Sequence, residues 1–249
     1  MHGKFLRDIE EVSTERTWEW LKAGHLTKET EGLILAAQEQ ALRVNSIKRN
    51  IDGQDVSPLC RMCRKTNETV QHIVSGCTIL AGTRYLARHD IVGKHIHWLI
   101  LKKYGIPTES KWYQHVPQTV TESTDGSVVI FWNKPIHTDR KVAHNKPDIV
   151  VIERKEKKWY IIDFAVPMDH RVRVKEDIKV DTYLDLAAEV RSQYHVKTEI
   201  VPVVIGALGT VPNRLEESLE KLGLPDIIAS LQKSVLISTA AILRRVLSL

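Results

Sequence analysis

Three cysteines and one histidine form the pattern with the clearest chemistry in this chain of 249 residues. Cys60, Cys63, His72 and Cys77 follow the spacing C-x2-C-x8-H-x4-C and use every cysteine in the sequence. Structural zinc sites hold the ion with four such ligands in a tetrahedron. The pattern therefore predicts a zinc knuckle, with the first two cysteines on one turn and the other two ligands on a short helix and the turn that ends it. Three unrelated thiols are the weaker hypothesis, and a disulfide framework would leave one cysteine over.

Two aspartates in the second half of the chain form the next candidate site. Asp148 opens one apolar run and Asp163 lies near the end of the next, so a tight turn between the runs would bring both carboxylates to one end of a sheet. Two close carboxylates repel each other unless a cation neutralises them, and Mg²⁺ prefers carboxylate and phosphate oxygens. Lys175 and Lys179, four residues apart, would project from one helix face and stabilise charge on a phosphate. Each residue alone is also compatible with an ordinary turn or a solvated helix face.

The elements that must position these groups fall into three predicted parts separated by a linker. Residues 1–57 are charged and predicted to be a helical segment, and residues 58–104 are predicted to contain the knuckle and a following helix. Glycines, prolines and polar residues over 105–126 predict the longest linker. Residues 127–249 contain strand-like apolar runs and form the predicted third part.

The third part predicts an α/β (α+β) fold, in which a mixed sheet is flanked by helices. Three β-branched and aromatic runs are typical of buried strands, at Ser127–Trp132, Asp148–Glu153 and Trp159–Val166. The last two runs are joined by a short charged turn and predict a hairpin. A helix capped by Asp169 and running to about Tyr194 follows. The strand over 199–205 is predicted at an edge or a bulge because of Pro202, and two helices close the chain.

The basic composition is compatible with a partner that carries phosphates and equally with a soluble protein that has many surface lysines. The formal charge is +5 and the pI is about 9.0. The sequence contains no run of 18 or more apolar residues, so no membrane span is predicted. Reduced cysteines without a leader predict an intracellular protein. The predicted phosphate contacts are Arg61, Arg64 and Lys65 in the knuckle and Arg140, Lys141 and Lys146 near the acids. His144 is a candidate substrate contact or an ordinary loop histidine, and Trp98, Trp112 and Trp132 are expected to be core residues rather than base-stacking platforms.

Two segments in tandem resemble a known nuclease family. Asn145–Val150 (NKPDIV) and Ile162–Pro167 (IDFAVP) are similar to the restriction-like endonuclease of site-specific non-LTR retrotransposons, a member of the PD-(D/E)XK superfamily. The knuckle upstream is similar in spacing to the CCHC knuckle that those elements carry between reverse transcriptase and endonuclease. The resemblance covers roughly residues 25–210.

The resemblance implies a PD-(D/E)XK nuclease-like sheet in which Asp148 and Asp163 bind a catalytic Mg²⁺. The usual lysine of this superfamily would fall at Ala165, and relatives of this type supply it from the next helix, shortly before a tyrosine. Lys179 with Tyr183 fits that pattern best, and Lys175 is the second choice. Thr182 stands where a further lysine is often seen.

The resemblance also implies a function and partners. The expected function is a nuclear, metal-dependent DNA endonuclease that nicks target DNA for retrotransposon integration, with structural Zn²⁺ and catalytic Mg²⁺ and with element RNA as a further partner. No Tyr-x-Asp-Asp motif occurs in the sequence, so a reverse transcriptase is expected only in a longer polyprotein, of which this chain would be the C-terminal part or a stand-alone remnant. The alternatives are a catalytically inactive nucleic-acid-binding remnant and a structural zinc protein that binds another protein.

Overall fold

A five-stranded mixed sheet is the centre of the computed structural model, which describes residues 4–7, 9–224 and 226–248. The strands lie in chain order across the sheet: β1 (Val120–Glu122), β2 (Val128–Trp132), β3 (Ile149–Glu153), β4 (Lys158–Ala165) and β5 (Lys197–Val204). Neighbours from β1 to β4 are antiparallel, whereas β4 and β5 are parallel. A parallel pair needs a long crossover, which a helix between these two strands supplies.

The helices surround the sheet and continue into the first part of the chain. They are α1 (Lys4–Arg7), α2 (Thr14–Thr17), α3 (Glu19–Ala23), α4 (Lys28–Gln38), α5 (Asn45–Asn50), α6 (Thr78–Leu80), α7 (Leu86–Lys103), α8 (Val172–Tyr194), α9 (Leu215–Lys221) and α10 (Ile228–Leu247). Two π-helical turns, His72–Gly76 and Ala81–Tyr85, lead into α7. Short 3-10 turns lie at Trp112–Gln114 and Asp169–Arg171.

The alternation of side chains along β4 divides the core into two layers. Tyr160, Ile162 and Phe164 face α7, α9 and α10, whereas Trp159 and Ile161 face α8. Since successive strand residues point to opposite faces, Asp163 lies on the same face as α8. The sheet therefore directs this carboxylate toward the crossover helix.

A further core joins the N-terminal helices, the cysteine-rich segment and α10. Trp20, Ile34, Val70 and Ile73 pack in one cluster with Leu236 and its neighbours on α10. Arg88 of α7, which is 1% exposed, donates to the carbonyl oxygen of Val74 at 2.8 Å and to the Thr239 hydroxyl at 2.9 Å. The cysteine-rich segment is therefore packed against the rest of the fold through α7 and α10.

The structure confirms the mixed sheet flanked by helices and corrects two local predictions. The predicted linker contains a strand, because β1 pairs with β2. Asp169 does not cap α8, since its carboxylate accepts from the backbone N–H groups of Leu208 and Thr210. Pro202 lies on β5 at the edge of the sheet, as predicted, where its missing N–H is tolerated. Of the helices in the described residues, none combines the length and the apolar character that crossing a membrane requires.

Candidate zinc centre and active site

The four predicted zinc ligands come together around one point. Their ligand atoms all lie within 4.8 Å of one another. The Sγ atoms of Cys60 and Cys77 are 4.0 Å apart, and Cys63 Sγ lies 3.3 Å from His72 Nε2. A tetrahedron with Zn–S bonds of about 2.3 Å has S–S edges of about 3.8 Å, so the donor atoms fit zinc in both type and spacing.

Local hydrogen bonds hold these ligands in place. The backbone N–H of Cys60 donates to the Thr66 carbonyl oxygen at 2.8 Å, and the N–H of Arg64 donates to the Cys60 carbonyl oxygen at 2.8 Å, which closes the turn between the first two cysteines. The Thr66 hydroxyl lies 3.0 Å from His72 Nδ1 and leaves Nε2 to face the cysteines. A partner on the second ring nitrogen is the usual way in which a metal-binding histidine is oriented.

The thiols differ in their acidity. Burial raises the pKa of Cys60. The Lys65 backbone N–H, assisted by His72, lowers the pKa of Cys63 to about 6. A thiolate is the form that binds a metal, so Cys63 is prepared for binding at neutral pH.

The predicted phosphate contacts of the knuckle have different surroundings. Arg61 is engaged within the fold, because its Nη2 lies 2.6 Å from Oε1 of Glu68, a carboxylate that is 0% exposed. Its Nε and its backbone N–H also donate to Glu68 Oε2, at 2.9 and 2.8 Å. Arg64 and Lys65 are exposed on the adjoining turn. The geometry thus gives Arg61 a structural contact and leaves the other two open to a partner.

Asp148 and Asp163 meet at one end of the sheet, as the hairpin predicted. Ile149 pairs with Ile162, and the next positions in the same antiparallel register are the two aspartates. The Phe164 backbone N–H donates to Asp148 Oδ2 at 2.8 Å, which fixes one acid against the strand that carries the other. The side chains of Asp148 and Asp163 are 14% and 5% exposed, respectively.

Burial and mutual repulsion set the charge of this pair. Burial and the neighbouring charge of Asp148 raise the pKa of Asp163 to about 6. Burial also acts to raise the pKa of Asp148, but the hydrogen bond and charge of His89 outweigh it and hold that pKa below its ordinary value. Two partly buried acids that interact in this way are stabilised by a nearby cation.

The crossover helix α8 brings a lysine and a tyrosine to Asp163. Lys179 Nζ forms an ion pair with Asp163 Oδ2, and the Tyr183 hydroxyl donates to Asp163 Oδ1 at 3.0 Å. Lys175 lies one turn before Lys179, and burial lowers its pKa, with a further contribution from the charge of Lys179. The structure therefore places the first-choice lysine and its tyrosine at the acids, with the second-choice lysine beside them.

His89 at the start of α7 is a site residue that the sequence prediction missed. Its Nε2 lies 3.2 Å from Asp148 Oδ2, although 59 residues separate the two positions. Burial acts to lower the pKa of His89, but the hydrogen bond and charge of Asp148 raise it to about 9. This contact with Asp148 therefore favours the protonated form of His89. Nothing in its local sequence identifies it, because the contact depends on how α7 packs against the sheet.

The other predicted contacts lie on the loop before β3 and at its surroundings. Arg140 is exposed and its Nε donates to Glu189 Oε1 at 2.7 Å. Lys141, His144 and Lys146 are exposed, and the Lys146 carbonyl oxygen accepts from the Tyr183 hydroxyl at 3.3 Å. Among the described residues, none of these four side chains contacts Asp148, and none lines the cleft beside the acids.

The three tryptophans considered above are half-buried and have partners within the fold. Trp98 donates to the Glu109 carbonyl oxygen at 2.7 Å, and Trp112 stacks on His95 with ring centroids 4.4 Å apart. Trp132 packs edge-on against His97.

A cleft of about 590 Å³ opens beside the acids. One wall is the segment around the second π-helical turn, the opposite wall is α8, and the floor is the end of β4. His89 and Lys179 line it, and each of them contacts one of the two aspartates. The cleft therefore lies next to the carboxylates, although neither aspartate is itself a lining residue.

Comparison with known proteins adds little to this geometry. No protein-family model matches the chain, and no curated protein matches it. Among solved structures it is similar to an N-terminal domain of a reptarenavirus L protein, at 13% identity over 85% of this chain and 95% of that one, with a TM-score of 0.32. A likeness at this TM-score carries no argument about fold or function.

Proposed function

We propose that this chain is a metal-dependent nuclease domain that cuts DNA, with a zinc knuckle that stabilises the fold next to the active site. One observation carries the proposal: Asp148 and Asp163 converge with Lys179 beside a cleft. These are the residues that the resemblance to retrotransposon endonucleases assigns to catalysis. On that resemblance, the physiological reaction would be nicking of target DNA in the nucleus, with element RNA and a reverse transcriptase region as partners.

The residues present fit a divalent metal. Two partly buried acids interact, and the fold already sets one cation against each of them, protonated His89 against Asp148 and Lys179 against Asp163. The acids thus favour nearby positive charge, which supports the proposal that a metal ion binds them. Asp148 and Asp163 would hold Mg²⁺, which would polarise a phosphate oxygen and make a water molecule more acidic. Deprotonated His89 would be a candidate third ligand.

The side chains around the acids supply orientation and charge. The Tyr183 hydroxyl and the Phe164 N–H fix the two carboxylates by hydrogen bonds of 3.0 and 2.8 Å. Lys179 keeps an ammonium group where negative charge would build on a phosphate during cleavage. Lys179 belongs to α8, whereas the usual lysine of the superfamily would stand on β4 at Ala165. The long side chain of Lys179 reaches back to Asp163 and would take over the role of that lysine.

Cleavage of supercoiled plasmid in Mg²⁺ tests the proposal. The zinc-loaded protein should nick the plasmid, and Asp163→Asn should reduce the rate by at least about a hundredfold, the scale for losing a group that stabilises transition-state charge. Asp181→Asn is the matched control, since Asp181 is an exposed carboxylate on the same helix as Lys179. A folded, zinc-loaded protein that binds DNA but does not nick it would overturn the proposal in favour of an inactive binding remnant.

Binding provides a second measurement that separates the alternatives. Contacts between basic side chains and phosphates release counterions, so affinity for nucleic acid should fall steeply as salt increases. Replacing Arg64 and Lys65 should reduce affinity across sequences and make the salt dependence shallower. An affinity that is independent of salt would instead support the structural zinc protein that binds another protein.

A further inference from the structure

The cleft lies beside two acids that have little open surface. Its volume of about 590 Å³ lies within the range of small-ligand pockets, about 300–1,000 Å³. The side chains of Asp148 and Asp163 are only 14% and 5% exposed. A flexible unpaired strand can bring a phosphate to such recessed acids with less distortion than a rigid duplex.

The cleft is lined by both cationic and apolar side chains. Arg171 and Lys175 line it, and neither side chain has an ion-pair or hydrogen-bond partner among the described residues. Leu86 and Ile178 line it as well, and these apolar side chains are 52% and 42% exposed. The unpartnered cations suit phosphates, whereas exposed apolar side chains suit the flat faces of bases.

Those base faces are available only when the strand is unpaired. In a duplex each face is covered by stacking on the neighbouring pair, and the protein meets phosphates and groove edges. A single strand can turn its bases outward against apolar or aromatic side chains while its backbone follows a basic groove. Leu86 on α7 and Ile178 on α8 come from opposite walls, so bases would be held between them.

We propose that this cleft binds an unpaired nucleic-acid strand, with phosphates at Arg171 and Lys175 and bases between Leu86 and Ile178. The inference rests on the proposed nuclease function and defines its substrate as single-stranded or locally opened nucleic acid. The zinc-bound segment then has a second role, because its residues Ser75 and Gly76 form part of the wall that shapes the cleft.

Binding without cleavage gives the first test. The Asp163→Asn variant is mixed with a fluorescent 20-nucleotide strand, as DNA, as RNA, or annealed to its complement, and fluorescence anisotropy is measured. The expected result is single-strand affinity at least about tenfold above duplex affinity. Leu86→Ala with Ile178→Ala should remove most of this preference. Leu184→Ala is the matched control, because Leu184 is 51% exposed on α8 but lies outside the cleft lining.

Equal affinity for the single strand and the duplex would overturn the inference. A second double variant tests the two cations. Arg171→Gln with Lys175→Gln should weaken single-strand binding and reduce its salt dependence. If this double variant binds the strand as tightly as the parent protein, the cleft is not the binding site.

Cleavage separates failure of this inference from failure of the proposed function. The protein should nick supercoiled plasmid, in which torsional stress opens short segments, faster than a relaxed closed circle. Equal nicking of both circles would refute the single-strand preference and leave the nuclease function standing. Single-strand binding without cleavage of either circle or of the free strand would refute the nuclease function and support the cleft assignment.

Discussion

The charge of Asp163 leads to a test in which a buried acid is replaced by its neutral analogue. Its folded-state pKa is about 6, against an ordinary value of 3.8. A raised pKa means that the fold favours the protonated form. The stabilisation associated with that proton is fully present below the unfolded pKa of 3.8 and is lost as pH rises through about 6. At pH 7.5 without magnesium, the ionised carboxylate therefore destabilises the protein.

Asp163→Asn should remove this penalty, because asparagine resembles the protonated acid in shape and can still accept from Tyr183. At about 1.4 kcal/mol for each pKa unit, the variant should be more stable than the parent protein by up to about 3 kcal/mol at pH 7.5. The two should be nearly equal in stability at pH 4. Added Mg²⁺ should raise the stability of the parent protein and leave the variant nearly unchanged.

Urea unfolding followed by tryptophan fluorescence at several pH values measures the difference. The buffer must be freed of magnesium without a strong chelator, so that zinc stays bound. Asp181→Asn is the control for removing an exposed carboxylate from the same helix. Parallel profiles for the parent protein and Asp163→Asn, or a less stable variant at pH 7.5, would refute the electrostatic account of the acid pair.

Three further predictions concern zinc, a buried ion pair and a close contact. Purified protein should contain about one zinc equivalent by metal analysis, and Cys60→Ser with Cys77→Ser should lose it and unfold the surrounding segment. Arg61→Ala should destabilise the fold by about 3 kcal/mol in urea unfolding, because it leaves the carboxylate of Glu68 buried without its partner. Gly93→Ala should lower stability by about 1–3 kcal/mol, since a Cβ there would lie 2.7 Å from a tryptophan ring atom across the core.

Each of these three predictions has a control variant or an outcome that would contradict it. A doubly substituted protein that keeps its zinc would contradict the ligand assignment. Arg64→Ala removes an exposed arginine from the same turn and should leave stability unchanged, so an equal loss in both arginine variants would contradict the role of the ion pair. Gly32→Ala adds a Cβ in α4 with nothing within 4 Å and should be neutral or stabilising, as helix propensity requires.

Local patterns in the sequence were enough to predict the Cys3His cluster and the acid pair. Ligand type and short spacing suffice to predict four donors around one ion, because a few residues of backbone bring them together. The two aspartates could be placed at one end of the sheet because a short turn forces neighbouring runs into an antiparallel hairpin, which fixes their register. The choice of Lys179 came from the family resemblance, and the position of α8 over β4 brings its side chain back to Asp163.

Only the tertiary structure decided which distant groups complete the site. His89 reaches Asp148 because α7 packs on the sheet, and no local pattern marks a histidine 59 residues away. In the sequence, Arg61 is one of several basic residues in the knuckle. In the fold, it forms an ion pair with the fully buried Glu68. The weak pattern of β1 was missed because a strand of three residues depends on its partner and not on its own sequence. Contacts between segments far apart in the chain arise from burial of whole helix and sheet faces, and a sequence read locally carries no record of which faces will meet.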